Sequence, residues 1–242
     1  MKAERATLLN SLVITFLLVL VMWMVKLTEV LFDMSFVTWG LYPRSFSGLS
    51  GIITAPFIHK DFLHLISNSF PLLVLGTILL TSYKRVALKA TLWIFLLTGL
   101  WVWTAARPAY HIGASGIVYG LVSFLFFMGL LRRDPRSMAL ALLVTFLYGG
   151  LIWGIFPLEW TISWESHLLG GIAGIFAAVL YYKVDLPPKP VLEDPVDNPE
   201  MPYWKYEVEG ELKPEENQPA PTVIRYIFKP EEPESQQENS GS

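Results

Sequence analysis

The chain has 242 residues, 53% of them hydrophobic and only 16% charged, and its mean hydropathy of +0.45 exceeds what a water-soluble surface tolerates. The charges divide it: residues 1–183 hold 13 Lys and Arg against 7 Asp and Glu, whereas residues 184–242 hold 5 against 14, with 11 of the 17 prolines. A soluble enzyme is excluded, and the lack of cysteine excludes a disulfide scaffold, thiol catalysis and Cys-ligated zinc.

A bilayer core about 30 Å thick requires about 20 apolar residues of helix. Six stretches meet or approach this, at 7–31, 62–82, 86–105, 115–131, 137–157 and 165–183, and predict an all-α membrane protein built as a bundle of six spans over residues 1–183. The first begins with Lys2 and Arg5, but its apolar run is too long for a signal peptide and no small-residue cleavage site follows, so it reads as a retained span. The connection 32–58 carries Trp39, Tyr42, Phe46 and several glycines. Its length and aromatic content predict a short amphipathic helix lying partly in the outer leaflet. The fourth span is short and is approached through Arg107–Gly113, which reads as irregular backbone covered by other protein. From Val184 onward the acidic, Pro-rich tail is expected to be largely disordered. Within it, 203–208 and 222–228 are apolar enough for a small hairpin or a docking segment.

Lys and Arg near the span ends set the orientation. With a cytoplasmic N-terminus the inner side carries Lys2, Arg5, Lys84, Arg85, Lys89, Arg132, Arg133, Arg136 and Lys183, and the outer side Lys26, Arg44, Lys60 and Arg107. Both termini are therefore expected in the cytoplasm, and spans two, four and six begin at the outer face.

Polar groups inside a span are costly, so each asks for a reason. Span two carries His64 and Asn68, one turn apart on one face. Span four opens with Gly113-Ala114-Ser115-Gly116, with Tyr119 one turn below Ser115. Span six opens with Glu165-Ser166-His167, followed by Gly170, Gly171 and Gly174. All lie in the first turns of spans that share a direction, which puts His64, Asn68, Ser115 and His167 at one depth. The glycines on spans four and six let two backbones approach closely. That closeness brings the His167 imidazole toward the Ser115 hydroxyl as the adjacent base a serine nucleophile needs, with the Tyr119 ring beneath. The oxyanion formed on attack needs donors, which the helix start at Ser115 and the side chains of His64 and Asn68 can supply. The carboxylates of residues 1–183 lie mostly at span ends and none is evident as a third member, so the set reads as a Ser–His dyad rather than a triad.

In order and on alternate spans, His59-x4-His64-x3-Asn68, Gly113-x-Ser115-Gly116-x2-Tyr119 and His167-x2-Gly170-x3-Gly174 resemble the rhomboid family of intramembrane serine proteases, over roughly residues 10–183. The resemblance implies a six-helix bundle that cuts single-span membrane proteins near the outer end of their transmembrane segments. It implies Ser115 as nucleophile, His167 as base, His64 and Asn68 as oxyanion donors, Tyr119 packed on the base, and Gly170 and Gly174 as the contact between spans four and six. It also implies that 32–58 is a half-inserted loop and that span five with the connection up to Trp164 is a moving gate and cap. Two departures concern anchoring: Ser50-Gly51 stand where many members carry Trp-Arg, and Leu80 stands where a glutamate is common.

Two other readings are open. One is an inactive relative that binds transmembrane segments, although such a protein is expected to lack the serine or the histidine. The other is a metal carrier using His59, His64, His111 and His167, but His59 and His64 are five apart rather than the usual four. No cofactor or metal is expected, no Gly-rich phosphate loop is present, and no nucleic-acid partner is implied. Nothing in the sequence sets an oligomeric state.

Overall fold

The computed structural model describes residues 2–159, 162–184 and 186. The expected disorder beyond these, and the segments at 203–208 and 222–228, lie outside the described residues.

Among the described residues seven α-helices follow in order: α1 (Lys2–Leu31), α2 (Gly51–Thr54), α3 (Phe62–Ser82), α4 (Ala87–Ala105), α5 (Ser115–Arg132), α6 (Pro135–Tyr148) and α7 (Trp164–Tyr181). Six stretches of the described residues are long and apolar enough to cross a bilayer: Glu4–Leu31, Phe62–Ser82, Ala87–Ala105, Ser115–Arg132, Pro135–Ile155 and Trp164–Tyr181. They fall on the six expected spans, with shifted ends. α1 begins at Lys2 rather than 7, because Lys2, Glu4 and Arg5 are good helix formers that extend it beyond the apolar run.

Two expectations change. The fifth span is not one α-helix: Tyr148 leaves helical dihedrals (φ −127°, ψ 4°) and Gly149–Ile155 continue as a 3₁₀ turn. The Gly149-Gly150 pair is the local cause, since glycine costs about 1 kcal/mol relative to alanine inside a helix. The first loop is likewise not a single amphipathic helix. It holds 3₁₀ turns at Val37–Trp39, Ser47–Ser50 and Ala55–Phe57 around the one-turn α2. Here the chain folds back on itself: a side chain on Gly48 would run into the backbone of Tyr42, and one on Gly51 into that of Leu41.

Caps fix where several spans start. The Asp61 carboxylate accepts from the His64 N–H at 2.7 Å, and Asp134 accepts from the Ser137 N–H at 3.0 Å with Pro135 at the first turn. α5 is the centre of the bundle. Half of its residues (50%) are buried within the protein, against 17% for the fifth span. Val118, Leu121, Phe124, Leu125 and Met128 pack into a core shared with Leu65, Leu72, Leu75 and Leu79 of α3 and Ala177 and Ala178 of α7. α5 and α7 meet backbone to backbone. A side chain on Gly170 would collide with the Gly116 carbonyl, and one on Gly174 with the Gly120 carbonyl.

Candidate active site

That glycine contact sets Ser115 and His167 face to face. Ser115 is the first residue of α5 and His167 lies in the first turn of α7. His167 Nε2 is 2.8 Å from Ser115 Oγ, and its Nδ1 is 2.9 Å from the Gly154 carbonyl oxygen. A carbonyl only accepts, so Nδ1 carries the proton and the Nε2 lone pair accepts from the serine hydroxyl. His167 is buried, and its ring stacks on Tyr119 with centroids 4.2 Å apart and planes 6° apart. The Tyr119 hydroxyl donates to the Leu151 carbonyl at 2.7 Å.

α3 brings His64 and Asn68 to the same place. Both face Gly113, where an added Cβ would stand 2.6 Å from His64 Cε1 and Nε2 and 3.8 Å from Asn68 Nδ2. Gly113 also has φ +98°, so this position excludes side chains twice over, by space and by backbone conformation. The Asn68 amide donates one hydrogen to the His64 carbonyl at 2.8 Å, leaving its second N–H for another acceptor. The structure thus gathers Ser115, His167, Tyr119, His64, Asn68, Gly113 and Gly116 around one point, with Gly170 and Gly174 as the packing surface behind.

Three supports were not apparent from the sequence. The carbonyls of Gly154 and Leu151 are backbone groups, and only the cluster of glycines in span five hinted at them. A hydrogen-bonded chain also ties the approach of α5 to the start of α7. His111 Nε2 donates to the Arg107 carbonyl at 3.1 Å and its Nδ1 lies 2.5 Å from Ser163 Oγ, which is 2.6 Å from Ser166 Oγ. Burial holds His111 below the usual imidazole range, in keeping with a neutral ring in this chain. Beside it Arg107 Nε pairs with the buried Glu165 carboxylate at 3.4 Å. Third, Lys26 donates to Glu29 and to the carbonyls of His59 and Lys60, holding the top of α1 to the entry of α3.

Chemically, a serine hydroxyl bonded to a histidine of fixed tautomer is equipped for nucleophilic attack with proton transfer. Among the described residues no group of three or more His, Cys, Asp or Glu is placed to hold a metal ion.

A family model for the rhomboid domain matches residues 46–184, more than half of the chain. The chain belongs to the rhomboid family. With six apolar spans, it is a multi-pass membrane protein of that fold. Among its relatives, an uncharacterised protein of Mycobacterium tuberculosis (strain H37Rv) is 34% identical over 188 residues, 74% of this chain and 78% of that one. An uncharacterised Mycobacterium leprae protein is 33% identical over 162 residues, covering 63% and 64%. A protein of Acanthamoeba polyphaga mimivirus, described as a candidate rhomboid protein, is 26% identical over 138 residues, covering 52% and 71%.

Proposed function

We propose that this rhomboid is an intramembrane serine endopeptidase that cleaves single-span membrane proteins near the outer end of their transmembrane segments. The observation that carries this reading is the 2.8 Å contact between Ser115 Oγ and His167 Nε2, with Nδ1 committed to a carbonyl. Ser115 attacks the substrate carbonyl as Nε2 takes its proton, and the imidazolium then gives that proton to the leaving amine. The tetrahedral oxyanion is held by the Ser115 N–H at the start of α5, the second N–H of Asn68 and the His64 ring. The amine leaves with that proton and the acyl group stays on Ser115 Oγ; water then attacks the ester carbonyl as Nε2 takes its proton, and the proton returns to Ser115 Oγ as the carboxylic acid is released.

The excess of Lys and Arg on one set of loops supports an orientation with both termini in the cytoplasm and the site near the outer face. A substrate helix hides its carbonyls in its own hydrogen bonds, so preferred sites are those with small residues and helix-weakening Gly or polar neighbours. The test is incubation of purified protein and its Ser115→Ala variant with a panel of single-span substrates, with cut sites mapped by mass spectrometry. Cleavage by wild type alone, near the outer helix ends, is expected. Equal cleavage by the variant would overturn the reading.

A further inference from the structure

A neutral imidazole has one N–H, and its position decides whether the ring can serve as a base. With the proton on Nδ1, Nε2 accepts from Ser115; with the proton on Nε2, the ring would donate to Ser115 Oγ and be unable to take its proton. Serine hydrolases commonly settle this with a carboxylate behind the histidine. Here the group behind His167 is the Gly154 carbonyl, at 2.9 Å.

That carbonyl belongs to the 3₁₀ turn Gly149–Ile155, the irregular end of the fifth span. The same turn offers the Leu151 carbonyl to Tyr119, so both stacked rings are held by one short segment. Position 154 admits no side chain: a Cβ would overlap the Tyr119 hydroxyl and stand 3.1 Å from His167 Nδ1. Only glycine lets the backbone come this close. The fifth span is also the least buried of the six, and α6 meets α5 where Gly129 faces Ala141 and Ser137.

We propose that Gly154 is a positioning residue, its carbonyl fixing the His167 tautomer, so that the base is set only while the end of the fifth span lies against α5 and α7. During attack the proton passes from Ser115 Oγ to Nε2, while the Nδ1 proton stays on the ring and donates to the Gly154 oxygen, whose dipole stabilises the new imidazolium. This inference rests on the protease reading, and the experiment separates the two.

The first measurement uses the full chain in detergent with ¹⁵N-histidine. The protein has 4 histidines, so the His167 signal is assigned by its loss in His167→Asn. Nδ1–H is expected at neutral pH, and Nε2–H would overturn the positioning role without any Gly154 variant. The second compares Gly154→Ala with wild type. In folded protein kcat should fall by about 10²-fold, the scale of general-base catalysis. KM should change little, and Ser115 labelling by a fluorophosphonate should slow in parallel. Unchanged kcat and labelling in Gly154→Ala would overturn the inference while leaving the protease reading intact. A wild-type protein that neither cleaves nor labels would overturn the protease reading itself.

Discussion

The ring of His167 lies flat on that of Tyr119, 4.2 Å between centroids, while the Tyr119 hydroxyl is tied to the Leu151 carbonyl at 2.7 Å. The two contacts are separable. Tyr119→Phe keeps the stack and removes the hydrogen bond, which should cost about 1 kcal/mol of stability and leave most turnover. Tyr119→Ala removes the floor beneath the base and should cost about 3–5 kcal/mol, with cleavage lost. Melting temperatures and turnover measured on the same preparations check both. Equal behaviour of the two variants would show that the stack does not position His167.

The α5–α7 contact predicts opposite fates for two glycines of α7, Gly171 and Gly174. A side chain at Gly174 meets the Gly120 carbonyl, whereas one at Gly171 meets only Ser123 Oγ at 3.3 Å. Gly174→Val should destabilise by at least about 1–3 kcal/mol, the range for overpacking, and move His167 away from Ser115. Gly171→Ala should fold and turn over nearly as wild type. Full activity in Gly174→Val would mean the helices separate there without consequence.

The proposed role of His64 and Asn68 as oxyanion donors predicts a graded loss. Removing one preorganised donor costs about 10²–10³ in rate, and the Ser115 N–H remains in either variant. His64→Ala and Asn68→Ala should therefore slow turnover while Ser115 still forms a covalent adduct with a fluorophosphonate. Asn68 also bonds to the His64 carbonyl within α3, so stability must be followed alongside. If the rate loss merely tracks the drop in melting temperature and recovers with a stabilising substitution elsewhere, the pair is structural.

His59 predicts acid sensitivity. It is buried with Nε2 unpartnered, and burial, with His64 and Lys26 nearby, pushes it down to about 4 against the opposing pull of the Phe57 carbonyl on Nδ1 and, less, of Asp61. The unfolded chain takes up this proton near 6.5, the folded protein only near 4, so acidification through that window favours unfolding. The loss approaches roughly 3 kcal/mol at the low end. His59→Phe should flatten the dependence of melting temperature on pH between those limits. An unchanged slope would assign the acid sensitivity to other groups.

Much of this was legible in the sequence because a bilayer leaves little choice. An apolar run long enough to span must be helical, so the six spans and the shared depth of Ser115 and His167 followed from spacing alone. The break at Tyr148 was hidden because Gly149–Ile155 stays apolar, and hydropathy is blind to a change from α to 3₁₀ hydrogen bonding. The carbonyl behind His167 was hidden for a related reason: every residue has one, so no residue type marks it. Arg107 and Glu165 each read as an ordinary charge at a span end, since their pairing joins positions far apart in the chain.

The bridge between Leu41 and His111 is a small feature with a wide reach. Leu41 N–H donates to the His111 carbonyl at 3.0 Å and His111 N–H to the Leu41 carbonyl at 2.8 Å, while the His111 ring continues to Ser163. Three connectors that are remote in sequence are thereby laced into a single belt across the mouth of the bundle. Such a belt distributes load. The first loop is tied in at a second point, where the Gly113 N–H donates to the Ala55 carbonyl at 2.8 Å. The amides of Leu41, His111 and Gly113 should then share one slow hydrogen-exchange rate, although none of them lies in a helix, and they should release together when the belt is cut at Ser163.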